Sequence, residues 1–262
     1  MIFKMLLPFL LFFTLYANEK PWYEAVDVKI EVGIYMPTYG GNVLNVHGKT
    51  TFDDDLNYSN TPASYFSLFI RHDRPYTPNI IINYFNMKDN QNSDLNRTIY
   101  LADTSFGSSV STVIKSSVLN VVLYQDLMLK GKYLKLFGKN YYTGDLEFDV
   151  GLDTKVVTWD FSIQDLSDLT KEASWIKVEE FIPLPYLGIN YYLYNLSAYA
   201  NISALSFVDA KATSYQAGVD YRVVDGLYLS VGYLYEEFEA VEDLDTITFH
   251  TSGYKFSFKY AF

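Results

Sequence analysis

The chain has 262 residues, with 31 Asp and Glu against 20 Lys and Arg, for a formal net charge of −11. That acidity argues against nucleic acid as a partner, and the absence of Cys excludes a disulfide framework, a thiolate metal site and a Cys nucleophile. Only His47, His72 and His250 are present, so no metal centre and no cofactor is expected.

Residues 1–17, MIFKMLLPFLLFFTLYA, have the layout of a secretory signal: Lys4 as a positive start, an apolar core over 5–13 and small Ala17 at the cleavage position. The segment is too short for a membrane helix. Residues 18–262 are then expected to form a single domain.

The aromatic content is 18%, with 25 Tyr and 19 Phe, a composition typical of strands. From residue 25 onward the hydropathy alternates with period two. Over 25–36 the even positions Val26, Val28, Ile30, Val32, Ile34 and Met36 are apolar, and the odd ones include Asp27, Lys29 and Glu31. Less regular strands are expected near 62–72, 78–88 and 116–128. Over 146–158, Leu146, Phe148, Val150, Leu152 and Val156 oppose Glu147, Asp149, Asp153 and Lys155. Two further strands are placed at 174–183 and 187–200. Over 213–223, Tyr215, Val219 and Tyr221 oppose Gln216, Asp220 and Arg222, and 227–238 repeats the pattern. The last strand sets Tyr254, Phe256, Phe258, Tyr260 and Phe262 against Lys255, Ser257 and Lys259.

Each strand therefore has one apolar and one polar wall. A soluble sandwich or lipocalin-like barrel would turn the apolar wall inward; a membrane barrel turns it toward lipid. Gly and Ser among the charges of the polar wall, and aromatic residues near strand ends, favour the membrane sense. So does an alternation of short links (73–77, 183–186, 223–226) with long polar ones (37–61, 89–115, 162–173, 201–212). The link at 129–145 is the exception, long yet on the short-turn side. The expectation is an all-β, transmembrane antiparallel β-barrel of about ten strands, with eight or twelve as alternatives.

The chain ends YKFSFKYAF, with an aromatic residue at alternate positions and Phe262 last. This resembles the terminal strand of bacterial outer-membrane β-barrel proteins. The runs IPLPYLGINY (182–191) and VDYRVVDGLYLSVGY (219–233) are similar to a sequence-defined family of Gram-negative outer-membrane barrels. The resemblance implies an outer-membrane location and recognition of Phe258, Tyr260 and Phe262 by the barrel assembly machinery. It also implies contact with outer-membrane lipid and lipopolysaccharide. It carries no catalytic motif.

By strand parity, Asp27, Lys29, Glu31, Asp149, Asp153, Lys155, Lys177, Glu179, Asp220, Arg222, Lys255 and Lys259 point into the barrel. Closure of the first strand on the last would bring Asp27 or Glu31 near Lys255 or Lys259. Such a set is either a mutually neutralising network in a structural barrel or the wall of a narrow, porin-like conduit for a small solute. Asp53, Asp54 and Asp55, with Glu236, Glu237, Glu239, Glu242, Asp243 and Asp245, would form an acidic outer rim. An adhesive or binding surface on Asn- and Asp-rich external loops such as 86–96 is the alternative role. A remote third is a lipid hydrolase using His250 as base and Ser252 as nucleophile, which share one face of the last strand; no orienting acid is identified for them.

Overall fold

A computed structural model describes residues 26–45, 47–56, 61–72, 77–101, 104–137, 139–206, 210–242 and 245–262. The expected signal segment lies outside them. Fifteen strands follow in order: β1 (Val26–Asn45), β2 (Gly48–Thr51), β3 (Ala63–His72), β4 (Asn79–Asp94), β5 (Ile99–Leu101), β6 (Thr104–Phe106), β7 (Ser109–Leu129), β8 (Tyr133–Leu136), β9 (Lys139–Tyr142), β10 (Asp145–Asp165), β11 (Glu172–Leu193), β12 (Leu196–Ser206), β13 (Ala210–Val224), β14 (Leu227–Glu242) and β15 (Asp245–Ala261).

Ten of them, β1, β3, β4, β7 and β10 to β15, pair antiparallel with their neighbours, and β15 pairs back onto β1 to close the ring. Closure removes both sheet edges, the condition for strands to cross lipid with every backbone group satisfied. The register Lys29↔Ala261 and Asp27↔Arg71 puts Val26, Ala261 and the β3–β4 link at one end, here the terminal end. Outward residues such as Val32, Ile34, Val150, Leu187, Val231 and Phe256 are large, apolar and exposed, as a lipid-facing wall requires.

The strands outrun a bilayer, which needs about ten tilted residues each: β7 and β10 have 21 residues and β11 has 22. The surplus projects at the far end. There the inward wall changes character. Tyr39 and Val43 of β1, Val110 and Ile114 of β7, and Phe161 and Ile163 of β10 are buried together. The expectation of a polar inner wall therefore holds only for the half of the barrel nearer the terminal end. Where strands leave the bilayer, nothing outside selects for an apolar outer face, and the interior can hold an ordinary hydrophobic core.

One expected link is corrected. The turn at 183–186 is absent: β11 runs through Pro183 and Pro185, and the turn falls at Tyr194 and Asn195. Strands 174–183 and 187–200 are therefore 172–193 and 196–206. The prolines are tolerated because the described pairing of β12 with β11 begins only at Tyr186, so among the described residues 172–185 have no partner on that side. The long link after β7 is present as expected, on the short-turn side. It is a hairpin, β8–β9, with Tyr133 paired to Tyr142 and Leu136 to Lys139.

Candidate functional site

Three charge clusters occupy the inner wall. At the seam, Glu31 of β1 meets Lys255 at 2.9 Å and Lys259 at 3.7 Å, and Lys259 meets Asp220 of β13 at 2.8 Å. Ser257 donates to Glu31, and the ammonium of Lys255 sits 4.3 Å above the Tyr65 ring. Deeper in, Lys155 of β10 joins Asp153 at 3.2 Å and Glu236 of β14 at 3.1 Å, with Ser214 donating to Glu236 at 2.8 Å. Toward the terminal end, Arg71 of β3 bridges Asp126 of β7 and Glu147 of β10, the latter at 2.8 Å. Asn190 donates to Asp149 at 2.8 Å and Asn79 to Asp126 at 2.6 Å.

The candidate residues distribute unevenly among these. Glu31, Lys255, Lys259 and Asp220 come together, as do Asp153 and Lys155. Asp27 meets Lys29, at 3.9 Å near the mouth, and no other cation among the described residues. Arg222 donates to Asn195 at 2.8 Å and not to a carboxylate. The side chains of Lys177 and Glu179 lie outside the described set. Arg71, Asp126 and Glu147 were not singled out. Glu147 shares parity with Asp149, but Arg71 and Asp126 sit at the ends of strands whose alternation is weak. Glu236, assigned above to an acidic rim, is buried in the lumen as a partner of Lys155.

Members of all three clusters, Glu31, Arg71, Glu147, Asp153, Glu236 and Lys255 among them, line a cavity of about 280 Å³ that also touches Tyr194, Asn195 and Asp27 at the terminal mouth. Toward the far end the described residues gather an apolar cluster inside the ring. The turn after β2 drops Phe52 and Leu56 into the barrel, both buried. Phe52 packs edge-on against Phe161 at 5.7 Å and Phe249 at 6.1 Å, and Trp159 closes on Phe249 at 4.5 Å and Phe238 at 5.7 Å.

The plug is pinned by backbone and charge. The Phe52 amide donates to the Gly41 carbonyl at 3.1 Å, and Ser93 donates to the Leu56 carbonyl. Arg97, in the link after β4, donates to both oxygens of Asp55 at 3.0 and 2.6 Å, and to the Lys49 carbonyl at 2.6 Å. Partial burial works to raise the Asp55 pKa, but Arg97 and the Thr51 donors outweigh it and hold the carboxyl below its ordinary value. Asp55 is therefore a joint between two far-end loops and not a free rim charge.

His250 and Ser252 lie on the outer wall. The His250 ring covers Gly40 and stacks on Tyr235 at 6.1 Å. The register sets Glu237 opposite His250, an acid that sequence spacing did not locate. Glu237 accepts instead from Lys211, at 2.5 Å, and from Tyr235. No hydrogen bond joins His250 to Ser252. A nucleophile–base pair is not assembled.

Among solved structures, the outer membrane protease OmpT from Escherichia coli is similar over 90% of this chain and 97% of its own, with a TM-score of 0.51 and 8% identity. The translocator domain of the autotransporter NalP from Neisseria meningitidis matches over 94% and 90%, with a TM-score of 0.40 and 14% identity. Ail, the attachment invasion locus protein of Yersinia pestis, matches over 89% and 99%, with a TM-score of 0.30 and 8% identity. No family model and no curated protein matches. At such identities the likeness concerns the fold, and of these three it is the OmpT match that carries it. The chain has the fold of the outer-membrane β-barrel proteins.

Proposed function

We propose that this chain is a structural outer-membrane β-barrel whose lumen is closed to passive diffusion. It is exported through a cleaved signal at 1–17 and assembled by recognition of its aromatic last strand. Its terminal end faces the periplasm and its long loops face outward, against lipopolysaccharide. The observation that carries the closed state is the Phe52–Leu56 plug, which places an apolar layer between the charged cavity and the far mouth. Below that layer the clustered ion pairs line a cavity that reaches the terminal mouth, so closure rests on the apolar layer and not on the polar half.

The test is single-channel conductance of the refolded barrel in planar bilayers. The closed reading expects no discrete steps from the native protein, and steps after Phe52→Asp with Leu56→Asp. Steps from the native protein would overturn it in favour of a solute conduit.

A second reading is display of a binding surface at the far end. The Asp55–Arg97 joint favours it, because it locks two loops into one surface. Deleting residues 95–108 should then abolish attachment to a surface ligand while the barrel stays folded.

A further inference from the structure

The β8–β9 hairpin stands at the terminal end, where the other described links are short. Its composition inverts that of the chain. Lys130, Lys132, Lys135 and Lys139 fall within residues 127–144, which contain no Asp or Glu, in a protein of net charge −11. All four are exposed, as are Tyr133, Leu134, Phe137 and Tyr141.

The hairpin is built, not trailing. The Asp145 carboxylate gathers its base, accepting from the Gly131 amide at 2.8 Å, from the Tyr142 hydroxyl and from Lys130 at 3.4 Å. Lys132 and Thr143 close the next rung through two bonds, at 3.0 and 2.8 Å. Tyr191, an outward residue of β11, donates to the Thr143 carbonyl at 2.8 Å and ties the hairpin to the lipid-facing wall. Gly144, at φ 80°, allows the crossing; a Cβ there would meet the Tyr191 ring at 2.7 Å. Phe137 holds the tip at φ 47°, a conformation that costs energy for a bulky residue, and is fully exposed.

Ordered, exposed aromatic and leucine side chains interleaved with lysines match the chemistry of a membrane interface. Rings settle at the headgroup level while ammonium groups reach anionic phosphates. The surface also continues the outer apolar wall directly, through exposed Leu127 and Leu129 at the end of β7. We infer that the β8–β9 hairpin binds the anionic phospholipid headgroups of the leaflet at the terminal end, with Phe137 seated in the interface. This rests on the reading above that the barrel spans the outer membrane with its terminal end periplasmic.

The chain has no Cys, so Phe137→Cys provides a sole thiol for a polarity-sensitive fluorophore. The full barrel is refolded into nanodiscs of phosphatidylcholine, or of the same lipid with about one-third phosphatidylglycerol. The expected result is a blue shift and quenching by headgroup-labelled lipid in the anionic discs, weakened by salt. Lys132→Gln, Lys135→Gln and Lys139→Gln together should remove the dependence on anionic lipid; Lys130 is left to Asp145. A label that stays in water in both discs overturns the inference, and points to a soluble acidic partner instead. A label seated equally in both discs also overturns it, because recognition of the anionic headgroup would be missing. A barrel that inserts into neither disc, seen as loss of heat-modifiable mobility, defeats the membrane reading itself.

Discussion

Glu31 and Lys255, 224 positions apart, meet at 2.9 Å across the seam that closes the barrel. Both are almost wholly buried, so each depends on the other. Lys255→Met leaves Glu31 with the more distant Lys259 and should cost about 3–5 kcal/mol, the usual penalty for stranding one partner of a buried pair. Glu31→Gln combined with Lys255→Met should recover much of that. Urea unfolding in detergent, followed by heat-modifiability, checks both; equal loss in single and double variants would show that the pair is not coupled.

Leu56 is fully buried in the plug, although it belongs to a loop. Leu56→Ala should cost about 2–5 kcal/mol, as for other buried leucines. The loss should be local. Hydrogen exchange at 47–56 should accelerate while the amides of β7 and β10 stay protected, because the ring strands do not depend on the turn.

Asp165 ends β10 beyond the apolar band and organises the 166–171 link. One oxygen accepts from the Ser167 hydroxyl at 2.6 Å and amide at 2.8 Å, from Ser108 at 2.9 Å and from the Asp168 amide at 3.2 Å. These bonds, the Ser167 hydroxyl first, bring its pKa down to about 2. A carboxyl lowered in the fold stabilises it above its unfolded pKa, near 3.9, and loses that contribution as pH falls toward the folded value. The link should open between about pH 4 and pH 2, with no change from neutrality down to that window. Asp165→Ala should abolish the transition, as read by the amide resonances of Ser167 and Asp168.

Phe262 is mostly exposed at the end of the closing strand, and its amide donates to the Val28 carbonyl at 3.0 Å. Its side chain contributes little packing. Removing Phe262 should leave refolding yield in detergent unchanged and sharply reduce the assembled barrel in cells. A matching drop in both would assign it a structural role instead.

Period-two alternation sufficed to place eight of the ten ring strands, because a one-residue slip would turn every apolar side chain of a strand into the lumen. It also brought Asp27 or Glu31 near Lys255 or Lys259, since closure of an even barrel sets first strand against last; only the register decided that Glu31 meets both lysines. Pro183 and Pro185 suggested a turn from local chemistry alone. Whether a strand has a neighbour on both sides depends on the length of β12, which no local window reports. Glu236 had the same limit: it was placed on the outer rim, because its buried partner Lys155 is 81 positions away. Alternation states which side chains share a wall and nothing about what that wall meets. Past the bilayer the same inward positions of β1 hold Tyr39 and Val43 against Phe52 and Leu56 from a loop. That plug exists because closing the ring brings scattered apolar residues around one axis, where burying them together removes more apolar surface from water than any single strand could.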